Sequence, residues 1–335
     1  MCESKKSMTE QANRTGLSAA GKAESTRLLG YSACALAGAL WGTGFYFGRL
    51  ALNEMNVEHM VLYRFLFACV GMAPVMLLNR VRLKASEWRT VLITAALGIP
   101  IQFLLQFHGL ALTTVSHASL MVGAMPVLLA GAASLFARER LDWTGWAALF
   151  ASTAGVALVV LGGDRTTTGS ETPTLRGDLL VVASLFVALA WILLSKKLME
   201  SHSPPVVTAY TIYSGTLMLV VWDAGSWLLA PLTHERVEPL PFAHVSMTAW
   251  TALAISGLFC TATTTLLWNW GIHHVPASRA GVFLNIEPAL GSVLGVELLG
   301  ERLGPYAWLG GALILGAAIT LTVRGQEPDL AIILE

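Results

Sequence analysis

Residues 105–146 read LQFHGLALTTVSHASLMVGAMPVLLAGAASLFARERLDWTGW, and residues 267–308 read LWNWGIHHVPASRAGVFLNIEPALGSVLGVELLGERLGPYAW. Laid over one another at a shift of 162 positions, ten of the 42 pairs are identical without a gap. They are Leu105/Leu267, Gly109/Gly271, Ser116/Ser278, Ala118/Ala280, Pro126/Pro288, Leu128/Leu290, Glu139/Glu301, Arg140/Arg302, Leu141/Leu303 and Trp146/Trp308. Apolar composition alone gives roughly half that number and does not bring Pro and Glu-Arg-Leu into register. Both copies lie in or beside apolar runs long enough to cross a bilayer. A repeat of membrane-spanning helices is the sequence mark of a secondary transporter, whose halves rock about a site near the midplane.

The rest of the chain agrees. Of its 335 residues, 55% are apolar and 13% charged, against about 25% charged in a soluble domain. A water-soluble fold of this length cannot hide so much apolar surface, which makes this an all-α integral membrane protein in a lipid bilayer. A formal net charge of zero gives no support to a nucleic-acid partner. Cys2 lies in a polar leader, and Cys34, Cys69 and Cys260 sit in apolar runs at no ligand-like spacing, so all four are read as unpaired.

At 1.5 Å per residue, about 20 apolar residues cross a hydrocarbon core of about 30 Å. Ten such runs occur: 29–50, 58–79, 90–111, 114–136, 143–162, 178–198, 205–230, 248–271, 275–298 and 305–324. Backbone amides in lipid must be satisfied within the segment, so each run is a helix. Pro204, Pro205 and Pro305 stand at helix starts, whereas Pro74, Pro100, Pro126 and Pro288 fall inside spans and are expected to bend them. The predicted organisation is a disordered cytoplasmic tail over 1–28, a five-helix repeat over 29–162, and an outer linker over 163–177. A second repeat over 178–324 and a cytoplasmic tail over 325–335 complete it.

With the amino terminus inside, the inner segments carry 14 Lys and Arg residues and the outer segments five. Positive charge is retained on the cytoplasmic side, so both termini are assigned there. Five spans per half is an odd number, and the second half therefore enters the membrane upside down relative to the first. That places Glu139 at the cytoplasmic face and Glu301 at the outer face, an inverted-repeat arrangement.

Several pieces resemble the EamA family of the drug/metabolite transporter superfamily. They are Ala39-Leu40-Trp41-Gly42 in the first span, Tyr63-Arg64-Phe65 in the second, Gly109-Leu110 in the third and Met125-Pro126 in the fourth. Glu139-Arg140-Leu141 follows, and the second half continues with Trp191, Gly271, Glu287-Pro288 and Gly300-Glu301-Arg302-Leu303. The resemblance runs over roughly 30–324. It implies a ten-helix carrier of the bacterial inner membrane, generally an exporter of small metabolites, with no cofactor.

Polar residues at membrane depth are expensive, so each poses a question. Glu287 falls near the middle of its run, where a carboxyl either exchanges protons or cations or braces a neighbouring helix. Arg279, Phe283 and Glu287 are spaced by four and share a helical face; the repeat maps them onto His117, Met121 and Met125. These faces either line a central cavity or pack, with Arg279 and His117 snorkelling to opposite surfaces. Gln102 and Gln106 map onto Thr264 and Trp268; with Asn269 and the threonine cluster Thr261, Thr263, Thr264 and Thr265 they coordinate a polar solute or tie helices together. Trp41 and Trp191 occupy comparable positions in the two halves and suit a gate or stacking surface; Arg64, towards the outer end of its span, is placed to snorkel, while the family resemblance implies a structural or pathway residue. Small-residue steps such as Gly38/Gly42 and Ala312/Gly316 allow close helix approach within the bundle, a homodimer contact being the alternative.

No P-loop, His-Glu-x-x-His or nucleophile elbow occurs, and His273-His274 point in different directions on a helix, so no catalytic or metal site is assigned. The reading is a proton-coupled exporter of a small metabolite, an amino acid or related compound, working by alternating access. An uncoupled facilitator or exchanger is the alternative. An intramembrane enzyme would need Glu287, His117 and Arg279 to converge from different depths.

Overall fold

The computed structural model describes residues 2–78, 83–136, 143–161, 173–233, 245–275 and 281–324. The first half holds α1 (Cys2–Leu52), α2 (Val57–Leu78), α3 (Trp88–Ala96), α4 (Gln102–Ala111), α5 (Val115–Val122), α6 (Met125–Phe136) and α7 (Trp143–Leu161). The second holds α8 (Leu175–Met199), α9 (Pro204–Thr233), α10 (Met247–Gly257), α11 (Thr264–His274), α12 (Ile286–Leu299) and α13 (Pro305–Arg324). These segments make ten spans, because α3–α4, α5–α6 and α10–α11 are each one interrupted span, as is α12 with the 3-10 turn Gly281–Asn285 before it.

Starts are set by side chains that occupy orphan amides. The side chains of Thr114, Thr174 and Ser246 accept from the N–H groups of His117, Gly177 and Ala249, as N-caps do. Pro204 and Pro305 open their helices, where a missing N–H costs nothing. One expectation differs. Residues 2–28, read as disordered, continue the first span as part of α1; their Ala, Glu and Lys residues are good helix formers and no proline interrupts them.

The helix boundaries repeat the sequence shift. Gln102 and Thr264 open α4 and α11, and Trp143 and Pro305 open α7 and α13, each pair 162 residues apart. A π-helical turn precedes α4 at Leu97–Ile101 and α11 at Leu258–Thr263. The two turns have different chemistry. Pro100 withholds an N–H in the first. In the second, the hydroxyls of Thr261, Thr263 and Thr264 donate to the carbonyls of Ser256, Leu258 and Phe259 at 2.6–2.9 Å, five residues back.

Pro126 and Pro288 do not bend continuous helices. The chain breaks at Gly123–Ala124 and at the 3-10 turn, and each proline sits in the first turn of the helix that follows. There the proline leaves no hydrogen bond unmade. Pro74 remains inside an unbroken α2.

The halves embrace through matched contacts. Gly109 of α4 lies against Gly177 and Val181 of α8, and its repeat-mate Gly271 of α11 lies against Gly30 and Cys34 of α1. Gly155 of α7 faces Gly310 of α13. Phe65, Met72, Phe107, Met121, Leu253 and Ile314 are fully enclosed between the halves. Trp143 and Phe150 are 84% and 78% exposed, as side chains that face lipid are.

Candidate functional site

Glu287 is the second residue of α12, not a mid-helix residue as the uninterrupted span implied. The 3-10 turn places it in the first turn of α12, where the helix dipole favours a negative group. Gly38 and Gly42 let α1 lie directly against this break: a Cβ at 38 would meet the Phe283 carbonyl, and one at 42 would lie 2.9 Å from the Glu287 carbonyl. This small-residue step packs inside the bundle.

Arg64 of α2 is 3% exposed. Its Nε donates to Thr261 Oγ1 at 2.8 Å, within the second π turn. Its Cζ lies 5.1 Å from the ring centres of both Phe103 and Phe107, which stand four apart on α4. Neither Arg64 nor Glu287 makes an ion pair with a described residue. A paired charge is the rule for a buried one, so the buried Arg64 and the half-buried Glu287 are the centre of interest.

Around them the aromatic candidates divide. Trp41 and Trp268 meet with ring centres 5.5 Å apart. Phe283 lies in the 3-10 turn, 6.0 Å from the ring of Tyr31, a residue the sequence did not single out. Trp191 covers Gly98 in the first π turn, and its Nε1 is enclosed without a partner. Gln102 Oε1 is likewise enclosed and unpartnered.

Other candidates are occupied elsewhere. His117 is 1% exposed and does not reach a surface; its Nδ1 stands 3.5 Å from Asp178 of α8, which also accepts from the Thr113 hydroxyl. Asn269 Nδ2 donates to Thr208 Oγ1, and the Thr264 hydroxyl is used by the π turn. Gln106, Met121 and Met125 are buried, the methionines within the main apolar core. Arg279 lies outside the described residues. The shared face of 279, 283 and 287 assumed a continuous helix, and the 3-10 turn ends that register at Asn285.

The residues missed are Phe103 and Phe107, which flank the arginine, and Asp178, which faces the histidine. Their signal was faint. Two phenylalanines four apart in an apolar run look like ordinary packing.

Two units of five spans, broken at matching positions and enclosing unpaired charges, are the build of a membrane transporter rather than an enzyme. Residues 28–161 and 175–323 match the EamA-like transporter family, and the chain belongs to it. An uncharacterized transporter of Archaeoglobus fulgidus is 24% identical over 292 residues, covering 86% of this chain and 95% of that protein. The uncharacterized transporter YdfC of Bacillus subtilis is 23% identical, covering 83% and 85%. A probable terminal-alkyne amino-acid exporter of Streptantibioticus cattleyicolor is 24% identical, covering 85% and 90%. One solved crystal structure aligns with a TM-score of 0.59 at 19% identity, over 90% of this chain and 99% of its own, a likeness of fold.

Proposed function

We propose that the protein exports a small metabolite, an amino acid or related compound, in exchange for protons across a bacterial inner membrane with both termini in the cytoplasm. The observation that carries this reading is Glu287: a half-buried carboxyl in the first turn of α12, without an ion-pair partner among the described residues. Such a group can hold a proton in one state of the carrier and release it in the other as water access alternates. The breaks in α5–α6 and before α12 fall at matching positions of the two halves, which suits a carrier whose halves exchange conformations. The name of the Streptantibioticus relative supports an amino-acid substrate.

The test is transport by purified protein in proteoliposomes holding a panel of amino acids. An imposed pH gradient is expected to drive accumulation, and a protonophore to abolish it. Equilibration that ignores the gradient would identify a facilitator instead.

A further inference from the structure

The Arg64 guanidinium is incompletely used. Nε is committed to Thr261, whose hydroxyl in turn donates to the Ser256 carbonyl at 2.9 Å and so is fixed in place. The two phenylalanine faces flank the guanidinium without accepting its hydrogens in its plane. Nη1 is enclosed and has no partner. Beside Nη2 stands Gly44, where an added Cβ would lie 3.5 Å from that nitrogen. The edge left over is therefore the Nη1–Nη2 fork, the one that grips a carboxylate with two parallel hydrogen bonds. A cation in this setting, 3% exposed and without an anion on it, is expensive to keep unless an anion visits.

We propose that the Nη1–Nη2 edge of Arg64 receives the carboxylate of the transported molecule, so that small carboxylates with an apolar body are substrates and amines lacking a carboxylate are refused. This rests on the transporter reading above and names the chemistry of its site. Phe103 and Phe107, whose rings flank the guanidinium, supply apolar surface for the rest of the molecule. Arg64 is enclosed here, so α2 must move relative to α10–α11 to admit the ligand, as alternating access requires.

The experiment uses proteoliposomes and two matched sets: leucine, leucinamide and isoamylamine; phenylalanine, phenylalaninamide and phenethylamine. Both acids are expected to move at least tenfold faster than their amides and amines. Arg64→Gln is expected to remove that preference together with the transport of the acids, while Arg64→Lys keeps a fraction of it. If Arg64→Gln does not fold, Gly44→Val crowds Nη2 and is expected to raise the half-saturating concentration of the acids at least fivefold. Amides or amines moving as fast as the acids would overturn the assignment and leave the transporter reading standing. So would acids moving normally through a folded Arg64→Gln. If none of the six compounds moves, both readings fall.

Discussion

At the scale of single residues, the second Glu-Arg-Leu copy shows what a matched motif is for. Gly300, at φ 68°, ends α12 in the left-handed conformation that glycine adopts without strain. The reversal delivers the Glu301 carboxylate to the start of α5, where it accepts from the N–H groups of Val115 and Ser116 at 2.7 Å and from the Ser116 hydroxyl at 2.6 Å. Glu301→Ala strands two buried amides and is expected to cost about 2–4 kcal/mol, seen as a lowered melting temperature in detergent. Glu301→Gln, which keeps one acceptor, should fall between; an alanine variant as stable as the parent would contradict this role. Outside the membrane, Glu54 binds the N-cap Ser246, whose hydroxyl and amide hold the Glu54 carboxyl below its ordinary value of 4.5. A lowered carboxyl contributes stability above its unfolded value and loses it as pH falls through the folded one. The melting-temperature gap between the parent and Glu54→Gln should be full at neutral pH and narrow as pH falls below the ordinary carboxyl value of 4.5. A constant gap would exclude the contact. The repeat flagged Glu301, but its partner was illegible because the bond joins residues 185 apart.

At the scale of elements, the spans were legible and their interruptions were not. Length and hydropathy identify a run such as 275–298 without regard to its backbone, and proline suits a bend and a fresh helix start alike. The threonine cluster was read as solute-binding or interhelical glue, whereas three of its hydroxyls serve their own π turn. Close approaches make a sharper test of packing. A Cβ at Gly310 would lie 2.5 Å from the Gly155 carbonyl and 3.0 Å from the Val159 nitrogen, backbone atoms that cannot swing aside. At Gly316, on the same helix, a Cβ would meet nothing within 4 Å. Gly310→Ala is expected to destabilise by about 1–3 kcal/mol. Gly316→Ala should be neutral or stabilise by up to about 1 kcal/mol. Equal effects in thermal unfolding would mean that α7 and α13 do not meet as described.

At the scale of the whole molecule, the ten-span architecture and the two-unit repeat were readable from hydropathy and the 162-residue shift, because bilayer thickness and backbone hydrogen bonding leave few alternatives. The site was readable only in part. Trp41, Trp268, Arg64 and Glu287 stood out by cost and position, but His117 and Asn269 turn out to serve Asp178 and Thr208. Sequence pattern gives depth along a helix but not which neighbour a side chain meets. Inversion itself is open to labelling. Glu301 is buried against α5, so its exposed neighbour Arg302 is the better site. On a background lacking the four native cysteines, Arg302→Cys should react with an impermeant thiol reagent in intact cells. Its repeat-mate Arg140→Cys should react only after permeabilisation, and labelling of both from one side would contradict inverted halves.

The central claim is that Glu287 carries the coupled proton, and Glu287→Gln tests it most directly. The amide keeps the size and polarity of the side chain, so the variant should insert, fold and exchange solute across membranes at equal pH. It cannot release a proton, so accumulation driven by an imposed pH gradient should vanish. A Glu287→Gln carrier that still accumulates solute uphill, with the parent's dependence on pH, would show that the carboxyl is structural and contradict the account.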